Sequence, residues 1–97
     1  MKKKVYLSGP ITNSPSYWEE FDNAEYNLKG MGYIVLNPTI FPLGLSQADY
    51  MRLSMAMIDC CDFVCMLSGW ENSDGANVEY LYAKKCDKEI IFNCKCD

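Results

Sequence analysis

Histidine is absent from this 97-residue sequence. That removes Ser–His and Cys–His nucleophile pairs from consideration. The six cysteines (Cys60, Cys61, Cys65, Cys86, Cys94 and Cys96) include no paired C-x-x-C spacing, so no metal site is expected. Cys61 and Cys65 flank or lie in an apolar run and read as small buried hydrophobes. Cys94 and Cys96 could bind metal or oxidise, but read more simply as incidental thiols of a chain end. Thiols in this pattern fit a reducing compartment. Positive charge is also scarce. Nine basic residues against thirteen acidic ones give a net charge of −4, which argues against polymeric nucleic acid as a partner but leaves a small nucleotide open. The one basic cluster, Lys2-Lys3-Lys4, reads as a solvated strand start. No apolar run approaches the ~20 residues that span a bilayer, so no membrane partner is expected. Ser8-Gly9-Pro10 interrupts any leader-like apolar segment, so a cytoplasmic protein is expected. G-x-G-x-x-G and Walker lysine patterns are missing too, which removes dinucleotide and triphosphate motifs and leaves no cofactor to expect.

What is present is a strand–helix alternation. Lys4 to Ser8 is a short strand ended by Gly9-Pro10. Ser16 can cap a helix from about Tyr17 to Lys29, with Trp18, Phe21, Ala24, Tyr26 and Leu28 at roughly helical spacing and Gly30 and Gly32 at its end. Tyr33 to Leu36 is a second strand, and Thr39 to Leu45 a loop with Pro42 and Gly44. Ser46, with Asp49 three residues on, caps a second helix running to about Asp59 or Cys60. Asp62 to Leu67 is a third strand, Ala76 to Cys86 a third helix, and Glu89 to Phe92 a fourth strand. No repeat or linker interrupts the pattern, so one domain over residues 1–97 is expected, with a modest core. Strands alternating with helices predict an α/β protein: a three-layer, flavodoxin-like or Rossmann-like fold on a four-stranded parallel sheet. The predicted strand order is 2-1-3-4, with the switch point between the first and third strands.

Ligands in such folds bind outside the carboxyl ends of the strands. That end collects Ser8, Gly9, Pro10, Asn13, Asn37, Tyr50, Trp70, Ser73, Asp74, Asn77 and Glu79. Asp59, Asp62, Asp87 and Glu89 fall at the opposite end. The run Gly69 to Glu79 supplies small residues, Gly75 among them, and a carboxylate placed in the first turn of the third helix. A carboxylate there gains ~0.3–1 kcal/mol from the helix dipole, which favours its ionised form and is itself a sufficient reason for Glu79. Its other reading is a nucleophile able to form a covalent glycosyl intermediate. Trp70 can stack on a ligand's base or cover a sheet edge or subunit contact. Tyr6 points into the core or up into the site, depending on register. Ser73 and Asp74 can simply cap the third helix.

These residues resemble a known family. Tyr6-Leu7-Ser8-Gly9-Pro10-Ile11 looks like the Tyr-x-x-Gly-Pro opening of the nucleoside 2-deoxyribosyltransferase superfamily. Leu36-Asn37-Pro38, Cys61-Asp62 and Gly69-Trp70-Glu71-x-Ser73-x-Gly75-Ala76-x-x-Glu79 are closer to its compact branch, the DUF4406 type. The resemblance covers nearly the whole chain. It implies a flavodoxin-like fold and N-glycosidic bond chemistry on a nucleoside or nucleoside monophosphate. By resemblance, Glu79 is the nucleophile and Tyr6 positions it. The substrate would meet Ser8, Gly9, Pro10, Asn37, Ser54, Trp70, Ser73, Gly75 and Asn77. Ser73, six residues before Glu79, matches a phosphate-contacting serine. The resemblance also implies a homo-oligomer. Two positions depart from it. Ser54 stands eight residues before Asp62, where relatives often carry a supporting aspartate, and Thr12 stands six residues after Tyr6, where hydrolase relatives carry an arginine. Asp49 or Asp74 could stand in for the missing acid. Three functions follow as alternatives: a glycosidase or deoxyribosyltransferase, a nucleotide-binding or sensing module without turnover, and a small interaction protein with a vestigial crevice.

Overall fold

The computed structural model describes residues 2–11 and 17–93. The expected cap Ser16, along with Thr12, Asn13, Cys94 and Cys96, lies outside the described residues. Four strands, β1 (Lys4–Ser8), β2 (Ile34–Leu36), β3 (Phe63–Leu67) and β4 (Glu89–Asn93), alternate with three helices, α1 (Tyr17–Gly30), α2 (Gln47–Cys60) and α3 (Asp74–Lys85). Short 3₁₀ turns occupy Pro38–Ile40 and Trp70–Asn72. All neighbouring strands pair in parallel, in the order β2-β1-β3-β4, as the alternation predicts.

The central strands β1 and β3 are buried on both faces, which is why they read as continuous apolar runs rather than alternating ones. Their period of two divides the core into layers. Val5 and Leu7 of β1, with Cys65 and Leu67 of β3, pack under Phe21, Ala24 and Leu28 of α1. Tyr6, Val64 and Met66 face the other way, toward Ile58 of α2 and Ala76 and Ala83 of α3. One helix thus covers one face and two cover the other, giving the three layers. Cys61 and Cys65 are buried within this core, and burial pushes the Cys61 thiol up to about 11.

Several local expectations shift. The buried stripe of α1 is Phe21, Ala24 and Leu28, with half-buried Tyr17 one turn earlier. Trp18 and Tyr26, placed in that stripe by their apolarity alone, are 52% and 80% exposed. Tyr33 donates its N–H to Leu28 O (3.1 Å) and Gly32 donates to Lys29 O (3.0 Å), with Gly32 at φ +100. This is a Schellman closure of α1, so β2 begins one residue later than expected, at Ile34. Asp62 stays outside β3; its carboxylate accepts the Lys4 N–H at 2.9 Å. The start of α3 moves most. Ser73 Oγ accepts the Ala76 N–H (3.2 Å), so the helix begins at Asp74 rather than Ala76.

Candidate active site

That earlier start relocates Glu79. It sits in the second turn of α3, beyond the turn in which the helix dipole acts strongly. Ala76, Glu79 and Ala83 form the buried stripe of α3, so the carboxylate occupies a position that packing would give to an apolar residue. The two small alanines leave room for it to reach β1. There Tyr6 and Ser8, two residues apart and therefore on one face, meet it. Tyr6 Oη donates to Glu79 Oε2 at 2.9 Å, and Ser8 Oγ donates to Oε1 at 2.6 Å. Ser54, in the buried stripe of α2, adds hydrogen bonding toward both Tyr6 and Glu79. Tyr6 is fully buried and still meets the site, so both orientations considered for it apply.

Burial governs the electrostatics. Glu79 is only 8% exposed, and its carboxyl is raised above the usual carboxylate range by desolvation. The hydroxyls of Ser8, Tyr6 and Ser54 act in the opposite direction, favouring the charged form. The expectation that a helix end holds Glu79 ionised is therefore corrected: three hydroxyls do that work against a dominant burial cost. The Tyr6 phenol is held well above its ordinary value, first by burial and then by the charge on Glu79, so it remains a donor. No buried side-chain nitrogen or oxygen lacks a partner among the described residues.

Glu79 opens onto a cleft of about 150 Å³ at the carboxyl ends of β1 and β3. Tyr6, Gly9 and Glu79 line it from within, and Ser73, Gly75 and Ala76 line it from the start of α3. Ser54 and Tyr50 contribute from α2. Gly9 is required by packing: a Cβ there would lie 2.9 Å from Leu67 Cβ. Among the described residues, Glu79 is the only charged one that lines the cleft. Asp49 does not line it; it pairs with Arg52 at 3.3 Å on the exposed side of α2. Asp74 does not line it either and is exposed.

The structure brings seven of the sequence-derived candidates to the cleft: Tyr6, Gly9, Tyr50, Ser54, Ser73, Gly75 and Glu79. Ser8 lies behind the carboxylate that it holds. Four others lie elsewhere. Asn37 caps the first 3₁₀ turn, accepting from Thr39 N (2.9 Å) and donating to Glu25 (2.9 Å). Asn77 Nδ2 clamps the second turn through the carbonyls of Glu71 (3.0 Å) and Ser73 (2.9 Å). Pro10 packs beside Gly69. Trp70 stacks on Tyr80, with centroids 4.8 Å apart, and near Phe92, at 6.1 Å, so it covers the β4 edge. Most of the residues that sequence reasoning missed are apolar or aromatic, among them Tyr17 and Phe21 of α1 and Phe41 and Leu43 of the loop after β2. Tyr17 and Phe21 stand four apart, which places them on one face of α1. That spacing is equally what a plain core stripe shows.

This parallel α/β fold is shared by several solved structures. A 2-desoxiribosyltransferase from Leishmania mexicana superposes with a TM-score of 0.74 at 23% identity, over 93% of this chain. This chain spans only 63% of that protein's length. The CMP N-glycosidase BcmB of Clostridium botulinum matches with a TM-score of 0.70 at 22% identity, over 93% of this chain and 70% of its own. A 2-deoxyribosyltransferase from Bacillus psychrosaccharolyticus matches with a TM-score of 0.74 at 18% identity, over 97% of this chain and 77% of its own. The fold is thus that of the 2-deoxyribosyltransferases. Residues 3–92 match the model of the "Domain of unknown function (DUF4406)", and the chain belongs to that family. Comparison with curated proteins gives no match.

Proposed function

We propose that this protein cleaves or transfers at the N-glycosidic bond of a nucleoside, or of a nucleoside monophosphate, with Glu79 as nucleophile. One observation carries the reading. Among the described residues, a buried carboxylate lines an otherwise uncharged cleft, and both its oxygens are held by hydroxyls from β1. In the first step a Glu79 oxygen forms a bond to C1′ while the C1′–N bond breaks, its electron pair leaving with the base. Water or a second base then attacks C1′, and the carboxylate departs. The hydroxyls of Tyr6 and Ser8 fix the carboxylate's position, and Tyr6 keeps its own proton throughout. Removal of water on substrate binding strengthens the carboxylate's interaction with the cationic character that develops at C1′. The Leishmania and Bacillus proteins are 2-deoxyribosyltransferases and the Clostridium protein is a CMP N-glycosidase, and reactions of this kind support the reading.

The test is release of free base from a panel of deoxynucleosides and their 5′-monophosphates. Native protein is expected to release base, and Glu79→Gln to lose at least about 10³-fold in rate, the usual scale for removal of a catalytic nucleophile. Equal release by both, or none by the native protein, overturns the reading. A binding module without turnover is the second reading, favoured by Ser54 at the position where the resemblance implies an acid and by the lack of a second carboxylate among the described residues that line the cleft. Saturable binding of a nucleoside with no base release would establish it.

A further inference from the structure

The chain between β2 and α2 carries apolar side chains to the mouth of the cleft, and one side chain ties it down. Phe41 and Leu43 both line the cleft, yet Leu43 is 89% exposed. Pro42 and Gly44 flank it, Gly44 at φ +97, so the chain turns sharply at this tip. Upstream, Phe41 N–H bonds Pro38 O at 3.2 Å, which closes the 3₁₀ turn and reaches no further. The tip itself is gripped from α2. Tyr50 Oη donates to the Pro42 carbonyl at 2.7 Å and receives the Leu45 N–H at 3.4 Å. A single hydroxyl therefore meets both sides of Leu43-Gly44, while the Tyr50 ring lines the cleft below. An apolar side chain held in water beside an apolar cavity gains by being covered, and a planar heteroaromatic ligand seated among Tyr17, Phe21, Phe41 and Tyr50 would cover it.

We infer that the segment from Phe41 to Leu45 is a ligand-covering lip, and that Tyr50 is the positioning residue that holds it over the cleft. The lip acts on binding, not on the bond-breaking step, because none of its residues meets Glu79. The inference takes its ligand class, a nucleoside, from the function proposed above; the mechanical part stands without it.

Tyr50→Phe keeps the ring and removes the hydroxyl, and Leu43→Ala shortens the lip without freeing it. The full chain is digested with chymotrypsin without ligand, and kcat and KM are measured for the deoxynucleoside that reacts best. Loss of one ordinary hydrogen bond corresponds to roughly a three- to tenfold change. Tyr50→Phe should be cut within the lip faster by that factor and show KM raised by that factor, with kcat within about twofold of native. Leu43→Ala should raise KM similarly. Native-like digestion of Tyr50→Phe overturns the inference, whatever the protein does chemically. A fall in kcat with KM unchanged also overturns it, since Tyr50 would then act on the reaction. If native protein shows no turnover, the glycosidic reading fails. The lip is then judged by whether any deoxynucleoside protects the native segment from chymotrypsin: protection weakened in Tyr50→Phe supports it, and no protection overturns it.

Discussion

Glu79 is a charged residue in a stripe built for alanine-sized and apolar side chains, and the cost of that placement is readable in pH. Its folded-state pKa is raised, chiefly by burial, so the folded protein keeps a proton that the unfolded chain gives up earlier. Stability from this group is fully present below the unfolded value and is lost as pH rises through the folded one. Glu79→Gln is never charged and escapes that loss. Its melting temperature should exceed the native one by a margin that is smallest at acid pH and grows as pH rises toward 7. Thermal melts of both proteins across that range check the sign. Catalysis should move oppositely: base release by native protein rises with pH through the same raised value, because only the carboxylate attacks. A rate profile with its acid limb at or below the ordinary glutamate pKa would contradict the assignment.

Among the elements, the end of α3 offers the clearest local test. Lys88 donates its N–H to Ala83 O (2.9 Å) and Asp87 donates to Lys84 O (3.1 Å), another Schellman closure. Its left-handed residue is Asp87, at φ 61, where glycine carries no Cβ penalty. Asp87→Gly should therefore stabilise by ~0.5–1 kcal/mol, and Asp87→Ala should not. Denaturant titration measures both. Activity should be unchanged in Asp87→Gly, because this end of α3 lies opposite the cleft. The same contrast shows what was legible at this scale. Ser46 announced the start of α2, and Ser73 was one of two caps considered for α3; each accepts the N–H three residues on. The true start of α3 was harder to read, because Asp74 and Gly75 suit a loop as well as a first turn. That shift of two residues changed the argument about Glu79 from a helix dipole to burial.

At the scale of the whole molecule, charge bears on substrate choice. The chain is net −4, and the cleft offers a phosphate no lysine or arginine among the described residues, only the hydroxyls of residues such as Ser73 and a carboxylate to repel it. Uncharged deoxynucleosides should therefore show lower KM than their 5′-monophosphates, by an order of magnitude or more, and the gap should widen as ionic strength falls. Kinetics at two salt concentrations decide this, and a preference for the monophosphate would place its phosphate on partners outside the described cleft. No helix among the described residues is long and apolar enough to cross a membrane.

The sequence by itself determined the layer architecture and the strand order. Those features rest on local periodicity and on chirality rules that act on any strand–helix alternation. It also put forward Glu79 and Tyr6 together, through the family resemblance, and the two side chains are hydrogen-bonded in the structure. Only the tertiary structure decided which neighbours they have. Glu79 meets Ser8 and Tyr6 across more than seventy positions of sequence, a pairing set by the packing of α3 on β1. The same packing sent Trp70 to the sheet edge and brought Tyr17, Phe21 and Phe41 to the cleft. An aromatic residue carries one signature in sequence whether it fills a core, seals an edge or lines a pocket. The direction of its side chain, which distinguishes the three, is fixed only when the layers come together.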